Sequence, residues 1–208
     1  MPTGPLATAG LSTATAKLAG VAVATAALAV SLATATPPVH GVDKLDLSRY
    51  AGTWFEVARM PNKLQANCRY DATTTYRLKD DGTVTVLNRC VDANEQVKVA
   101  VGRATPLGGD PARLRLSYVP DWLSWWPGTR TDHWVVMLDG DYRYAVVSDS
   151  TRRSLWILSR APSLDAATYD GIVTQLRAQR YPVEQLVLTP QRVLEGLRPD
   201  AARPPLIV

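Results

Sequence analysis

The stretch that decides the fold runs from residue 70 to residue 91 and reads YDATTTYRLKDDGTVTVLNRCV. In its first half, Tyr70–Lys79, mostly apolar side chains alternate with polar ones, which is typical of a strand with one solvated face. The dipeptide Asp81-Gly82 follows, and both residues tolerate the positive φ that a tight hairpin turn requires. The second half, Thr83–Val91, is again rich in β-branched residues. The stretch therefore predicts an antiparallel hairpin within a domain of the all-β class.

Short strands separated by turn residues continue on both sides of this hairpin. We predict eight strands in all: Gly52–Met60, Tyr70–Lys79, Thr83–Val91, Gln96–Ala104, Ala112–Val119, Thr131–Asp139, Tyr142–Ser148 and Ser154–Arg160. No period of roughly 20 to 50 residues repeats, and strands do not alternate with helices, which excludes solenoids, propellers and parallel α/β sheets. The expected fold is all-β, an eight-stranded antiparallel up-and-down barrel.

One helix is expected to cover the last strands, which are apolar on both faces and so need a cover on their outer side. Ser163–Arg180 is typical of an amphipathic helix, with Ser163 as the N-cap and Asp165 in the first turn. Its apolar stripe has helical spacing: Tyr169, Ile172, Val173 and Leu176. We therefore expect a C-terminal α-helix packed outside the barrel, followed by a short extended segment at Val183–Leu188.

The first 35 residues have the pattern of an export signal. Lys17 is their one charged residue, and a mostly Ala, Val and Leu run, Leu18–Leu32, precedes the small-x-small tripeptide Ala33-Thr34-Ala35. A membrane anchor is the alternative, although about 20 apolar residues are needed to span a bilayer. We expect a signal peptide over 1–35, an N-terminal segment over 36–49, the barrel and helix over 50–190 and a loosely ordered tail over 191–208. The mature protein is then periplasmic or extracellular.

Charge and residue counts exclude several functions. Lys and Arg number 23 against 19 Asp and Glu, a net charge of +4 that is scattered along the chain, so a nucleic-acid partner is not expected. Two histidines, His40 and His133, and two cysteines do not have the spacing of a zinc site, and neither a metal nor a cofactor is predicted. Glu56 lacks a partner for acid-base work, so we interpret it as a buried, hydrogen-bonded carboxylate rather than a catalytic residue.

The two cysteines are expected to form a disulfide. Cys68 lies just before the second strand and Cys90 near the end of the third, so both belong to the same end of the barrel. Cysteines of exported proteins usually pair, although two free thiols remain the alternative.

Three tryptophans, Trp122, Trp125 and Trp126, occupy a loop bounded by Pro120 and Gly128 after the fifth predicted strand. In an up-and-down barrel this loop lies at the mouth. Indole rings favour membrane interfaces, and basic residues nearby in sequence favour anionic headgroups. We predict that the loop contacts lipid surfaces; the alternative is a cluster that plugs the mouth.

Three blocks of the sequence resemble the lipocalin family. They are Tyr50–Arg59, which is similar to the family's Gly-x-Trp block on the first strand, Leu138–Val147, and Leu155–Pro162, which contains the arginine before the helix. A weaker match is Val86-Leu87-Asn88. The resemblance is greatest to bacterial lipocalins and apolipoprotein D. One departure is Gly140, which stands where many members have threonine, and it puts the receptor-binding role suggested for that block in doubt here.

The resemblance implies that Trp54 packs against Arg160 to close the barrel floor. It also implies a protein that binds a hydrophobic small molecule, with fatty acids or lysophospholipids as ligands and lipid storage or transport in envelope maintenance, at the outer membrane, as the role. From the inward strand faces we predict four residues that line the ligand cavity: Tyr76, Leu116, Tyr118 and Trp134. Two other functions remain open, an enzyme that acts on a lipophilic substrate and a pigment or haem carrier with His133 as its ligand.

Overall fold

A computed structural model of the chain describes residues 36–120 and 129–192, together with Met1 and Gly4. The chain divides into two units after Pro37, and the helices and strands of the described residues belong to the second unit, which begins at Pro38. Its helices are α1 (Leu47–Tyr50) and α2 (Ala166–Ala178), with 3₁₀ turns at Lys63–Gln65 and Val183–Gln185. Its strands are β1 (Gly52–Arg59), β2 (Tyr70–Leu78), β3 (Val84–Val91), β4 (Val97–Leu107), β5 (Asp110–Ser117), β6 (Arg130–Leu138), β7 (Tyr144–Ser148), β8 (Leu155–Ser159) and β9 (Val187–Leu188).

The strands form a closed antiparallel barrel. Each of β2 to β8 pairs with its neighbours in the chain, and β1 closes the ring by pairing with both β8 and β2. The eight-stranded up-and-down barrel is therefore confirmed, with β9 as a short addition on β1. Because the strands alternate in direction, β1, β3, β5 and β7 all end on one side of the barrel, which we call the open end. Helix α1 and the last residues of β2, β4, β6 and β8 lie on the other side, the closed end.

The turn between β4 and β5 is tighter than predicted. The sequence placed the end of the fourth strand at Ala104 and the start of the fifth at Ala112, but pairing continues to Leu107 and Asp110. Gly108 and Gly109 have φ values of +59° and +80°, which a two-residue hairpin turn requires and which glycine adopts without strain. Pro106 lies within this strand at a register shift, where the loss of its N–H is tolerated.

Helix α2 packs outside the barrel, as predicted, but begins later. Asp165, not Ser163, is the N-cap, and its carboxylate accepts a hydrogen bond from the Thr168 N–H at 2.9 Å. Ile172 and Leu176 are fully buried against the outward side chains of the barrel, among them Ile157. No helix among the described residues is long and apolar enough to cross a membrane.

The segment after β9 fills a gap between β1 and β2. These strands pair only at the closed end, up to Phe55 and Thr73, and then diverge. The Gln191 amide donates to the carbonyl oxygens of Glu56 and Ala72 at 2.9 Å each, so one side chain bridges the two strands. Gln191 therefore belongs to the barrel, although the sequence placed it in the tail.

Candidate functional site

The barrel interior is filled at the closed end and hollow towards the open end. Apolar side chains pack tightly at the closed end, among them Trp54, Val84, Val86, Leu114 and Val135. Above them lies a cavity of about 390 Å³, within the size range of small-molecule sites. Its inner part is lined by Thr74, Tyr76, Asn88, Leu116, Tyr118, His133, Trp156 and Leu158.

A polar pair forms the cavity floor. The Tyr76 hydroxyl and His133 Nε2 are 2.7 Å apart, and both residues are buried. Burial lowers the pKa of His133 to about 4 and raises the pKa of Tyr76 well above its usual value, so both side chains are neutral at pH 7. Tyr50 packs below the Tyr76 ring, and Trp156 lies beside His133 with 6.2 Å between ring centroids.

A second polar string runs up the cavity wall. Thr74 donates a hydrogen bond to Asn88 Oδ1 at 2.8 Å, and Asn88 Nδ2 donates to the Tyr118 hydroxyl at 2.6 Å. Burial raises the pKa of Tyr118 to about 12, so its hydroxyl keeps its proton at neutral pH. The cavity therefore combines apolar walls with a few fixed, uncharged polar groups.

The β1–β2 connection forms one side of the mouth. Asn62 caps the 3₁₀ turn by accepting from the Gln65 N–H at 3.0 Å. The Gln65 side chain then accepts from Trp156 Nε1 at 2.7 Å and donates to the Glu56 carboxylate at 2.6 Å. The oxygen and the nitrogen of the Gln65 amide are thus both hydrogen-bonded, and this side chain fastens the β1–β2 connection to the barrel wall.

Glu56 is buried and fully paired, as the sequence analysis expected. Its carboxylate accepts from Arg59 at 2.7 Å and from the Thr189 hydroxyl at 2.5 Å, besides the bond from Gln65. Arg59 also donates to Thr189 at 2.9 Å. This network ties β1 to the segment after β9, and both oxygens of the Glu56 carboxylate take part in it.

The disulfide between Cys68 and Cys90 is confirmed, with 5.6 Å between the two Cα atoms. The chain before β2 bends back to reach Cys90, because Arg69 donates its N–H to the Val91 carbonyl and Asp71 sits in a bulge with φ +54°. Both cysteines line the mouth, so the disulfide fixes the width of the cavity entrance between the β1–β2 connection and β3.

At the closed end, Arg160 and Trp54 are in contact. The guanidinium carbon lies 3.8 Å from the centroid of the Trp54 indole. Arg160 also donates to four carbonyl oxygens, those of residues 49, 50, 51 and 53, at 2.8 to 3.0 Å. One side chain therefore anchors α1 and the start of β1 to the end of β8.

The predicted cavity residues are brought together with one exception. Tyr76, Leu116 and Tyr118 line the cavity, whereas Trp134 points outwards and packs with Ile172 and Leu176 of the outer cluster. The prediction for Trp134 is wrong because strand β6 is apolar on both faces, and it is His133 that faces inwards. The indole of Trp134 instead lies 4.5 Å below the Arg113 guanidinium.

The three loop tryptophans, Trp122, Trp125 and Trp126, lie outside the described residues. The lining residues predicted from the sequence did not include His133, Asn88 or Trp156, all of which line the cavity. The alternation of β2 places Thr74 beside Tyr76 and could have indicated a polar stripe. No local signal shows that His133 faces Tyr76, because the two lie 57 residues apart in sequence.

Comparisons with known proteins agree with this geometry. Residues 45–191 match a family model described as a lipocalin-like domain. The chain is 35% identical to temperature-induced lipocalin-1 of Arabidopsis thaliana, over 72% of this chain and 81% of that protein. It is 31% identical to the outer membrane lipoprotein Blc of Escherichia coli K12, over 82% and 95% of the respective chains.

Among solved structures, the cockroach allergen Per a 4 superposes with a TM-score of 0.56 at 19% identity, covering 77% of this chain and 96% of the allergen. At that identity the match shows a shared fold.

Proposed function

The chain belongs to the lipocalin family, and we propose that it takes up one fatty acid or lysophospholipid molecule in the cavity above Tyr76 and His133. The observation that carries the proposal is the division of the barrel interior, filled below these residues and hollow above them. A hollow barrel of eight strands has room for one small ligand, and each CH₂ group buried there contributes about 0.8 kcal/mol.

The distribution of charge in the cavity favours an amphiphile with its headgroup at the mouth. Arg89 and Lys98, the cationic residues that line the described part of the cavity, lie where β3 ends and β4 begins, at the open end. Lys98 is also paired with Asp92 at 3.2 Å. A carboxylate or phosphate is best solvated and neutralised there, while the hydrocarbon chain lies along Leu116 and Leu158.

Titration with a fluorescent fatty acid tests the proposal. We expect saturable binding of one probe per protein and displacement of the probe by lysophospholipid. Native mass spectrometry with lipid extraction would identify the molecule that co-purifies. Failure of the probe to bind, or binding that lysophospholipid cannot reverse, contradicts the proposal.

The proposed setting is the cell envelope, where a lipid carrier serves storage, transport or membrane maintenance. The signal-like sequence over residues 1–35 supports export, and a disulfide is typical of an oxidising compartment. Fractionation of cells that produce the full chain, with N-terminal sequencing of the product, tests this part. Recovery in the cytoplasm with residues 1–35 intact would rule it out.

The open end is also proposed to contact anionic lipid surfaces. Apolar side chains are exposed there: Leu64 on the β1–β2 connection (72%) and Val97, Val99 and Val101 on β4 (52 to 58%). Exposed basic residues accompany them, among them Lys63, Arg69 and Arg89. An apolar surface bordered by positive charge suits a negatively charged membrane.

Replacing Trp122, Trp125 and Trp126 together with serine tests whether the segment after β5 contributes to this contact. We expect the triple variant to lose co-sedimentation with anionic vesicles while its circular dichroism stays unchanged. Binding should also weaken with salt, because electrostatic attraction is screened. Equal binding by parent and variant, or none by the parent, would favour the plug interpretation.

A further inference from the structure

The floor of the cavity is more polar than a plain hydrocarbon chain needs. His133 is 8% exposed and Tyr76 1% exposed, and their immediate neighbours in the lining include Leu116, Leu158 and Trp156. An apolar side chain at position 133 would serve a purely apolar ligand better, because burying an imidazole is costly unless its nitrogens are hydrogen-bonded.

One nitrogen of His133 is paired and the other is not. Nε2 meets the Tyr76 hydroxyl, and Nδ1 has no partner within residues 36–120 and 129–192. Which of the Tyr76 hydroxyl and Nε2 donates depends on the tautomer of the neutral imidazole, and the same tautomer decides whether Nδ1 is a donor or an acceptor. A hydroxyl group can both donate and accept, so it is the ligand group that matches Nδ1 in either tautomer.

We propose that His133 is a specificity-determining residue and that the preferred ligand carries a hydroxyl group on the buried part of its chain. This inference rests on the proposed function, since it names which lipids the same cavity prefers. The Tyr118 hydroxyl accepts from Asn88 but donates to no described residue, so it supplies a donor on the cavity wall. A carboxylate on the buried end of the ligand, in addition to its headgroup, is excluded as the preferred group. The cationic residues Arg89 and Lys98 lie at the mouth, and Tyr76 and His133 on the floor are both neutral.

Two probes that differ by one hydroxyl group test the proposal: hexadecanoic acid and its ω-hydroxy derivative. Hydrophobicity alone favours the first, because the hydroxyl must be desolvated. We expect the wild-type protein to bind the ω-hydroxy acid at least as tightly as hexadecanoic acid. In His133→Leu the ratio should shift by roughly tenfold in favour of hexadecanoic acid, since the buried hydroxyl loses its partner.

Two variants serve as controls for that ratio. His133→Gln keeps a side-chain N–H donor and should restore part of the preference. His40→Leu makes the same change at the other histidine, which is exposed and does not line the cavity, so it should leave the ratio unchanged. An unchanged ratio in His133→Leu, or a wild-type preference for hexadecanoic acid of tenfold or more, overturns the inference while the proposed function stands. If the wild-type protein binds neither acid, both are overturned.

A measurement on the wild-type protein gives an answer that does not depend on the folding of a variant. The chain has two histidines, His40 and His133, so their ¹⁵N imidazole resonances are readily assigned. We expect the Nδ1 resonance of His133 to shift with the ω-hydroxy acid and to move much less with hexadecanoic acid, while His40 stays unchanged. Equal shifts with the two acids contradict the hydrogen bond.

Discussion

The two ends of the barrel are built from similar side chains used in opposite ways. At the closed end, Trp54 lies against Arg160, which donates to four carbonyl oxygens, and the interior is filled. At the open end, Trp156 and His133 border a cavity, and the His133 Nδ1 atom has no partner in the described chain. The rings of the closed end are packed in a filled interior and stabilise the fold, whereas the His133 ring borders a cavity, so its unused nitrogen is available to a ligand.

The largest expected effect comes from breaking the closed end. Trp54→Ala should lower the free energy of unfolding by roughly 3 to 5 kcal/mol, because it removes a fully buried aromatic side chain and the surface on which Arg160 stacks. Ligand affinity should change less. Trp156→Ala is the matched variant at the open end. It should weaken ligand affinity more than it lowers the free energy of unfolding. Urea denaturation with a fatty-acid titration measures both quantities, and an unchanged midpoint for Trp54→Ala would show that the closed end does not determine stability.

The open end depends on its covalent link for stability. Reduction of the disulfide, or the double change Cys68→Ser and Cys90→Ser, should lower the free energy of unfolding by roughly 3 kcal/mol by freeing the unfolded chain. Denaturation with and without reductant measures the effect, and the double variant, which should not respond to reductant, is the control. If reductant leaves the wild-type midpoint in place, the mouth is held by the Gln65 and Glu56 contacts instead.

The cavity floor should make stability depend on pH. Since burial lowers the pKa of His133 from 6.5 to about 4, the unfolded chain takes up a proton in this window before the folded protein does. The contribution of neutral His133 to the free energy of unfolding is fully present above pH 6.5. It is lost as the pH falls towards 4, by about 3 kcal/mol.

His133→Leu removes this group while the carboxylates still titrate, so the difference between wild-type and variant isolates its effect. Denaturation midpoints measured from pH 7 to pH 4 should fall less steeply for the variant. If the midpoints of wild-type and variant fall in parallel with pH, the His133 imidazole is solvated in the folded protein. The cavity floor would then not make stability depend on pH.

Much of the fold could be predicted because its signals are local. The Asp81-Gly82 turn and the alternation in Tyr70–Lys79 identify a hairpin, and the stripe containing Ile172 and Leu176 identifies a helix. The start of that helix was misplaced at Ser163, because Ser and Asp are both good N-caps and only the geometry shows that Asp165 meets the Thr168 N–H. The inward faces of β2 and β5 were predicted correctly, since their other faces are polar.

The sequence by itself determined the strand count, the outer helix, the cysteine pair and the family resemblance, because each depends on periodicity or on short motifs. Only the tertiary structure decided which face of β6 is inside, since both of its faces are apolar and alternation cannot choose between His133 and Trp134. The tertiary structure also decided that Tyr76 contacts His133 and that Gln191 lies in the gap between β1 and β2. These contacts join residues that are distant in sequence, and barrel closure and strand register, which no local pattern encodes, place them together.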